Sequence, residues 1–153
     1  MSRSLIWLSA WLTGWGLTLA GTLSIASLPG DWGNSICGAW GCGPPLQALV
    51  ACHASWVVVL IPAGMSIRRF FVFGTQRRIA TTALILVTMF AVGIGVYEYL
   101  TWLPHTSDWQ RPFYWHRVGF MILTTVELPL LEVAGLAFAI WTGSLFRQPT
   151  PAA

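Results

Sequence analysis

Three long stretches of this chain contain no charged side chain. Nothing is charged at neutral pH between Arg3 and Asp31, or between Asp31 and Arg68. A further 19 uncharged residues separate Arg78 from Glu98. A helix needs roughly 20 apolar residues to cross the hydrocarbon core of a bilayer, and each interval supplies them. Charged residues make up 8% of the chain, where about 25% is usual for a soluble domain. That leaves too little polar surface to cover a globule in water, so the expected solvent is lipid.

The intervals predict an all-α integral membrane protein, a four-transmembrane-helix up-down bundle that forms a single membrane domain over residues 1–153. The expected spans are 5–28, 46–67, 79–103 and about 115–146, joined by loops 29–45, 68–78 and 104–114. Arg3 ahead of an apolar run, with Ser24–Ile25–Ala26 in small-x-small order, has features of a secretion signal. Its apolar core is longer than the roughly 7–15 residues of such signals, so an uncleaved anchor is expected. The net charge of +3 does not point to nucleic acid, because the arginines sit at the ends of spans.

Those arginines also orient the chain. Arg68, Arg69, Arg77 and Arg78 fall in the second loop, Arg3 precedes the first span and Arg147 follows the last. The other loops offer only Arg111 and, just inside the next helix, Arg117. Short basic loops stay in the cytoplasm. Both termini are therefore expected inside and loops 29–45 and 104–114 outside, with a bacterial inner (plasma) membrane as the expected location. Trp32, Trp40, Trp102, Trp109 and Trp115 then fall near the outer interface, where amphipathic rings collect. Trp7, Trp11 and Trp15 recur every four residues, as a lipid-facing or packing ridge. Small residues at helical spacing (Gly135, Ala139 and Gly143; Gly16, Ala20 and Ser24; Ala91 and Gly95) allow close helix approach. They suit packing within the bundle, or docking onto a homo-oligomer or larger membrane complex.

Four ionisable residues fall inside predicted spans: His53, Glu98, Glu127 and Glu132. Such groups are costly in lipid and usually face the protein interior or a water-filled cavity. Depth follows from counting residues at about 1.5 Å each. Glu98 and Glu127 each lie 20 residues from the nearest cytoplasmic arginine, Arg78 and Arg147. That puts both near the outer interface, roughly 30 Å up. His53 and Glu132 each lie 15 residues from theirs, Arg68 and Arg147, and so share a depth of roughly 22 Å. The match brings His53 and Glu132 within reach of each other. The expectation is a hydrogen-bonded pair between helices, with a proton or metal role as the alternative.

All three cysteines lie in CGAWGCGPPLQALVACH, residues 37–53. Pro44 and Pro45 suit the start of a helix, where a missing N–H costs nothing. Cys37 and Cys42 then fall in an outer loop made pliable by Gly38, Gly41 and Gly43. A C-x4-C spacing of this kind closes a disulfide readily, leaving Cys52 as a buried thiol. A metal or redox reading would gather Cys37, Cys42, Cys52, His53, His105 and His116 at the outer face. Thiolates with imidazoles suit zinc or Cu(I) copper, although no standard zinc spacing is present. Haem b would need two facing histidines, of which only His53 is clearly inside, and no C-x-x-C-H motif exists. The layout of four spans, inner termini and a cysteine pair in the first outer loop resembles the quinone-linked disulfide oxidases of bacterial inner membranes. It departs from them in having C-x4-C instead of C-x-x-C. It also has no cysteine in the third loop, where electron relay through mixed disulfides needs a second pair.

No nucleotide-binding loop, nucleophile–base pair or soluble catalytic module is legible. The expected function is a small non-enzymatic accessory or assembly subunit with a disulfide-stapled outer loop and no cofactor. The alternatives are a redox or metal-handling protein using the outer Cys/His cluster, and a proton-coupled carrier using His53 and the membrane glutamates.

Overall fold

The computed structural model describes residues 3–26 and 35–145. The C-terminal ends of the first and last predicted spans (27–28 and 146), residues 29–34 of the first loop with Trp32 among them, and Arg147 lie outside the described residues.

The chain is mostly helical. Helix α1 runs from Arg3–Ala26, followed by strands β1 (Ser35–Gly38) and β2 (Gly41–Pro45) and the long helices α2 (Leu46–Phe70) and α3 (Phe73–Thr101). Two 3-10 turns (Leu103–His105 and Arg111–Phe113) lead to α4 (Tyr114–Thr124) and α5 (Leu130–Leu145). Helix α2, and α3 continued into its first 3-10 turn, are long and apolar enough to cross a membrane. Only 6% of the most apolar part of α3 is buried, so its side chains point outward. Val58, Met65, Met89 and Val92 are all more than half exposed.

Three expectations are corrected. The fold is not purely helical, because β1 and β2 form an antiparallel hairpin in which Cys37 pairs with Cys42. The predicted loop 68–78 shrinks to Phe71 and Val72. Its arginines continue the helices: Arg68 and Arg69 lie in the last turn of α2, and Arg77 and Arg78 lie within the first turns of α3. The fourth predicted span is not one helix: residues 125–129 leave the helical path between α4 and α5. Pro129 has no N–H and its ring clashes with the preceding turn, which ends or kinks a helix. The two prolines ahead of α2 lie just outside the helix, with Pro45 at its N-cap.

Helix α5 packs against both α2 and α3, α1 lies on α2, and α4 lies on α3. The α3–α5 contact centres on Ala80, Ala137 and Ile140, with Leu84, Leu136 and Trp141 around them. Gly64 lets α2 approach α5 closely, since a Cβ there would lie 2.4 Å from Leu136 Cδ1. The tryptophan ridge of α1 faces α2: Trp15 packs on Trp56 at 5.1 Å and Trp7 on Phe70 at 6.5 Å between ring centroids. At the α2–α3 junction, the buried Gln76 donates to the carbonyls of Arg68 (3.0 Å) and Phe71 (2.6 Å). These are carbonyls at the C-terminal end of α2, which have no partner within the helix.

Candidate functional site

Backbone geometry dictates where the polar side chains gather. A helix interrupted at 125–129 loses several of its i to i−4 bonds, and a buried carbonyl left unpaired costs about 1–3 kcal/mol. Helix α2 supplies the replacements. His53 Nε2 donates to the Leu123 carbonyl at 3.0 Å, and Trp56 Nε1 donates to the Val126 carbonyl at 2.7 Å. The two residues are three apart, hence on one face of α2. Trp56 is fully buried and Val126 is 5% exposed, so water does not compete for that bond.

The other ring nitrogen of His53, Nδ1, contacts Glu132 Oε1 in the first turn of α5. The pairing expected from equal depth is present, and it bridges α2 and α5. The Glu132 side chain is only 7% exposed, and its second oxygen, Oε2, is buried without a hydrogen-bond partner among the described residues. Cys52, next along α2, is a buried free thiol packed with Leu49 and Val126. Glu127 lies in the interruption itself, within electrostatic reach of Cys52.

A second cluster joins the hairpin to the helices. Arg117 on α4 donates through Nε to Glu98 Oε2 at 2.9 Å, and through Nη1 to the Trp40 carbonyl at 2.9 Å. Glu98 is 2% exposed. The guanidinium also lies over the Trp102 ring, 5.9 Å from its centroid. One side chain thereby ties together the hairpin turn, α3 and α4. Tyr114 adds a bond from its hydroxyl to the Gly95 carbonyl at 2.7 Å. Glycines at 41 and 43 make room here. Gly41 has φ +112, and a Cβ there would lie 2.5 Å from Arg117 Nη1. A Cβ on Gly43 would lie 2.4 Å from the Phe120 ring. The hairpin glycines thus serve close approach as well as the turn.

The remaining candidates are dispersed. Cys37 and Cys42 form a disulfide across the hairpin. His105 Nδ1 donates to the Thr101 carbonyl at 2.8 Å, and His116 stacks against Trp40 with ring centroids 5.9 Å apart. Among the described residues, no three His, Cys, Asp or Glu side chains are arranged to hold a metal ion. Sequence reasoning found the His53–Glu132 pair but missed two partners. Trp56 was signalled by its three-residue offset from His53, and Arg117 by its place at the same end of the molecule as Glu98. No family model, curated protein or solved structure matches the chain.

Proposed function

We propose that this chain is a small integral membrane protein with four crossings: α1, α2, α3 and the interrupted α4–α5 pair. Both termini and the α2–α3 junction lie in the cytoplasm of a bacterial cell, and the disulfide-stapled hairpin lies outside. Its role is that of a non-enzymatic accessory or assembly subunit.

One observation carries this reading: polar side chains capable of chemistry are engaged with other parts of the same chain, across element boundaries. The disulfide closes the hairpin, Arg117 joins it to Glu98, and His53 and Trp56 hold both sides of the α4–α5 interruption. The outward faces of α2 and α3 are apolar, as lipid requires. A soluble core helix would instead be mostly buried. The orientation draws on the charge distribution. Arg68, Arg69, Arg77 and Arg78 are exposed at the junction, and among the described residues none of them is in an ion pair.

The test is purification of the tagged chain from its native membrane in mild detergent, with metal analysis and an absorption spectrum. Stoichiometric co-purification of other membrane proteins with an apoprotein spectrum is the expected result. A chain that runs alone and carries a stoichiometric metal or a Soret band would replace this reading with redox or metal handling.

A further inference from the structure

His53 contacts two groups from different elements: the Leu123 carbonyl at the end of α4, and the carboxyl of Glu132 at the start of α5. A carbonyl oxygen only accepts, so Nε2 must carry hydrogen. A neutral imidazole has a single N–H. With that hydrogen on Nε2, Nδ1 is a bare acceptor, and its contact with Glu132 Oε1 requires one further proton between them. Two arrangements meet the requirement: a carboxylic acid donating to Nδ1, or an imidazolium donating to a carboxylate. Both are electrically neutral overall, and both satisfy every contact of the ring.

We propose that His53 and Glu132 form a proton-binding site whose filling and emptying is coupled to the interruption between α4 and α5. Removal of one proton to water leaves a neutral imidazole with one N–H, a carboxylate and a net charge of −1. That single N–H serves Leu123 or Glu132, but not both. A hydrogen bond to a carboxylate is roughly twice as strong as one between neutral groups. The hydrogen therefore settles on Nδ1, Nε2 becomes a bare nitrogen facing a bare carbonyl oxygen, and the link from α2 to Leu123 is lost. The filled site holds both sides of the interruption, and the empty site holds only α5. Trp56 keeps its bond to Val126 in both states, because an indole N–H does not titrate in this range. Among the described residues Glu132 Oε2 is buried without a partner, and the imidazole is the polar group that holds the carboxyl.

The other ionisable groups around the site are few. Cys52 adjoins His53 on α2, and Glu127 lies in the interruption. Helix α1, packed on α2, carries none beyond Arg3 at its first residue. Arg68 and Arg69 lie at the far end of α2. On α4, Tyr114 donates to the Gly95 carbonyl, Arg117 is held by Glu98 and Trp40, and His116 stacks on Trp40. On α3, which packs on α5, Glu98 is bound to Arg117, and Tyr97, Tyr99, Arg77 and Arg78 complete the set. Glu127 is the remaining acid whose charge would oppose emptying of the site.

This inference goes beyond an accessory role and holds whether or not the chain has partners, so its test uses the purified full-length chain alone. The protein is made with isotope-labelled histidine, reconstituted in lipid nanodiscs, and its ring nitrogens are followed by NMR from about pH 5 to about pH 10, a range that spans the ordinary values of His and Cys. The expected result is one transition in which Nε2 of His53 passes from N–H to bare nitrogen while Nδ1 gains the N–H. In E132Q the amide donates to Nδ1 and does not titrate, so His53 keeps its Nε2–H throughout. The proposal is overturned if the native chain retains the Nε2–H across the whole range, or if the same transition survives in E132Q. Should E132Q not fold, the native titration decides alone by the first criterion.

Discussion

Removing the guanidinium of Arg117 strands a buried charge without its partner. In Arg117→Met the apolar stem is retained, but Glu98, 2% exposed, loses its ion-pair partner and the Trp40 carbonyl loses its donor. The carboxylate can escape by taking up a proton, which bounds the damage. For an ordinary glutamate at pH 7, that costs about 1.36 × (7 − 4.3), or about 3.7 kcal/mol. The lost bond to Trp40 adds about 1 kcal/mol. The sum, about 5 kcal/mol, is at the upper end of the roughly 3–5 kcal/mol seen when one partner of a buried pair is removed. The 18% exposure of Arg117 admits some water and moves the expectation toward about 3 kcal/mol. The bound also fixes the sign of the pH dependence. At pH 5 the protonation cost falls to about 1 kcal/mol, so the variant recovers part of its deficit on acidification. The assay is denaturant unfolding in detergent, read by a thiol-reactive dye at Cys52, which is buried in the folded chain. The double change Glu98→Leu with Arg117→Met is expected to regain most of the loss, since apolar replacement of both partners removes the stranded charge. A single variant as stable as the native chain, or a double variant no better than the single one, would refute the reasoning.

Two further outcomes are expected. A membrane-impermeant maleimide should modify Cys37 and Cys42 only after reduction, and Cys52 only after unfolding; labelling of the pair without reductant would contradict the disulfide. Trp56→Phe keeps an aromatic ring but leaves the Val126 carbonyl buried without a donor, so it should lower stability by about 1–3 kcal/mol in the same dye assay. A change within error would mean that the interruption finds its hydrogen bonds elsewhere.

The helices were legible because their signal is gross: uncharged runs of membrane length mark α2 and α3 with little ambiguity. Their ends were not, because arginine signals the edge of the lipid, not the end of the helix, and Arg68, Arg69, Arg77 and Arg78 all remain helical. Counting residues at a constant rise placed His53 opposite Glu132 even though Pro129 breaks the helix, because Glu132 lies on the α5 side of the break. The same count gave no partner for Glu127, which lies within the break, where a helical rise does not apply. The hairpin escaped detection because Cys37 to Pro45 has no alternating pattern. It is held by its disulfide and by Arg117 on the Trp40 carbonyl, and neither contact is a periodicity.

Several polar residues of this chain share one rule, and Glu132 stands outside it. At the α2–α3 junction, the hairpin turn and the α4–α5 interruption, a side chain from another element supplies a donor to the backbone. Gln76 of α3 caps the end of α2, Arg117 of α4 holds the hairpin turn at Trp40, and His53 and Trp56 of α2 hold the segment between α4 and α5. A buried carbonyl left unpaired costs about 1–3 kcal/mol, so these residues need no further role to account for their presence. Glu98 follows as the counter-ion of Arg117. Glu132 does not follow. Among the described residues it caps no backbone group and its Oε2 has no partner, and His53 could hold Leu123 without it. Leaving Glu132 out would remove a desolvation cost and leave the α4–α5 interruption fully capped. The backbone rule therefore explains His53 but not its partner, and what Glu132 adds to the pair is a second site for a proton.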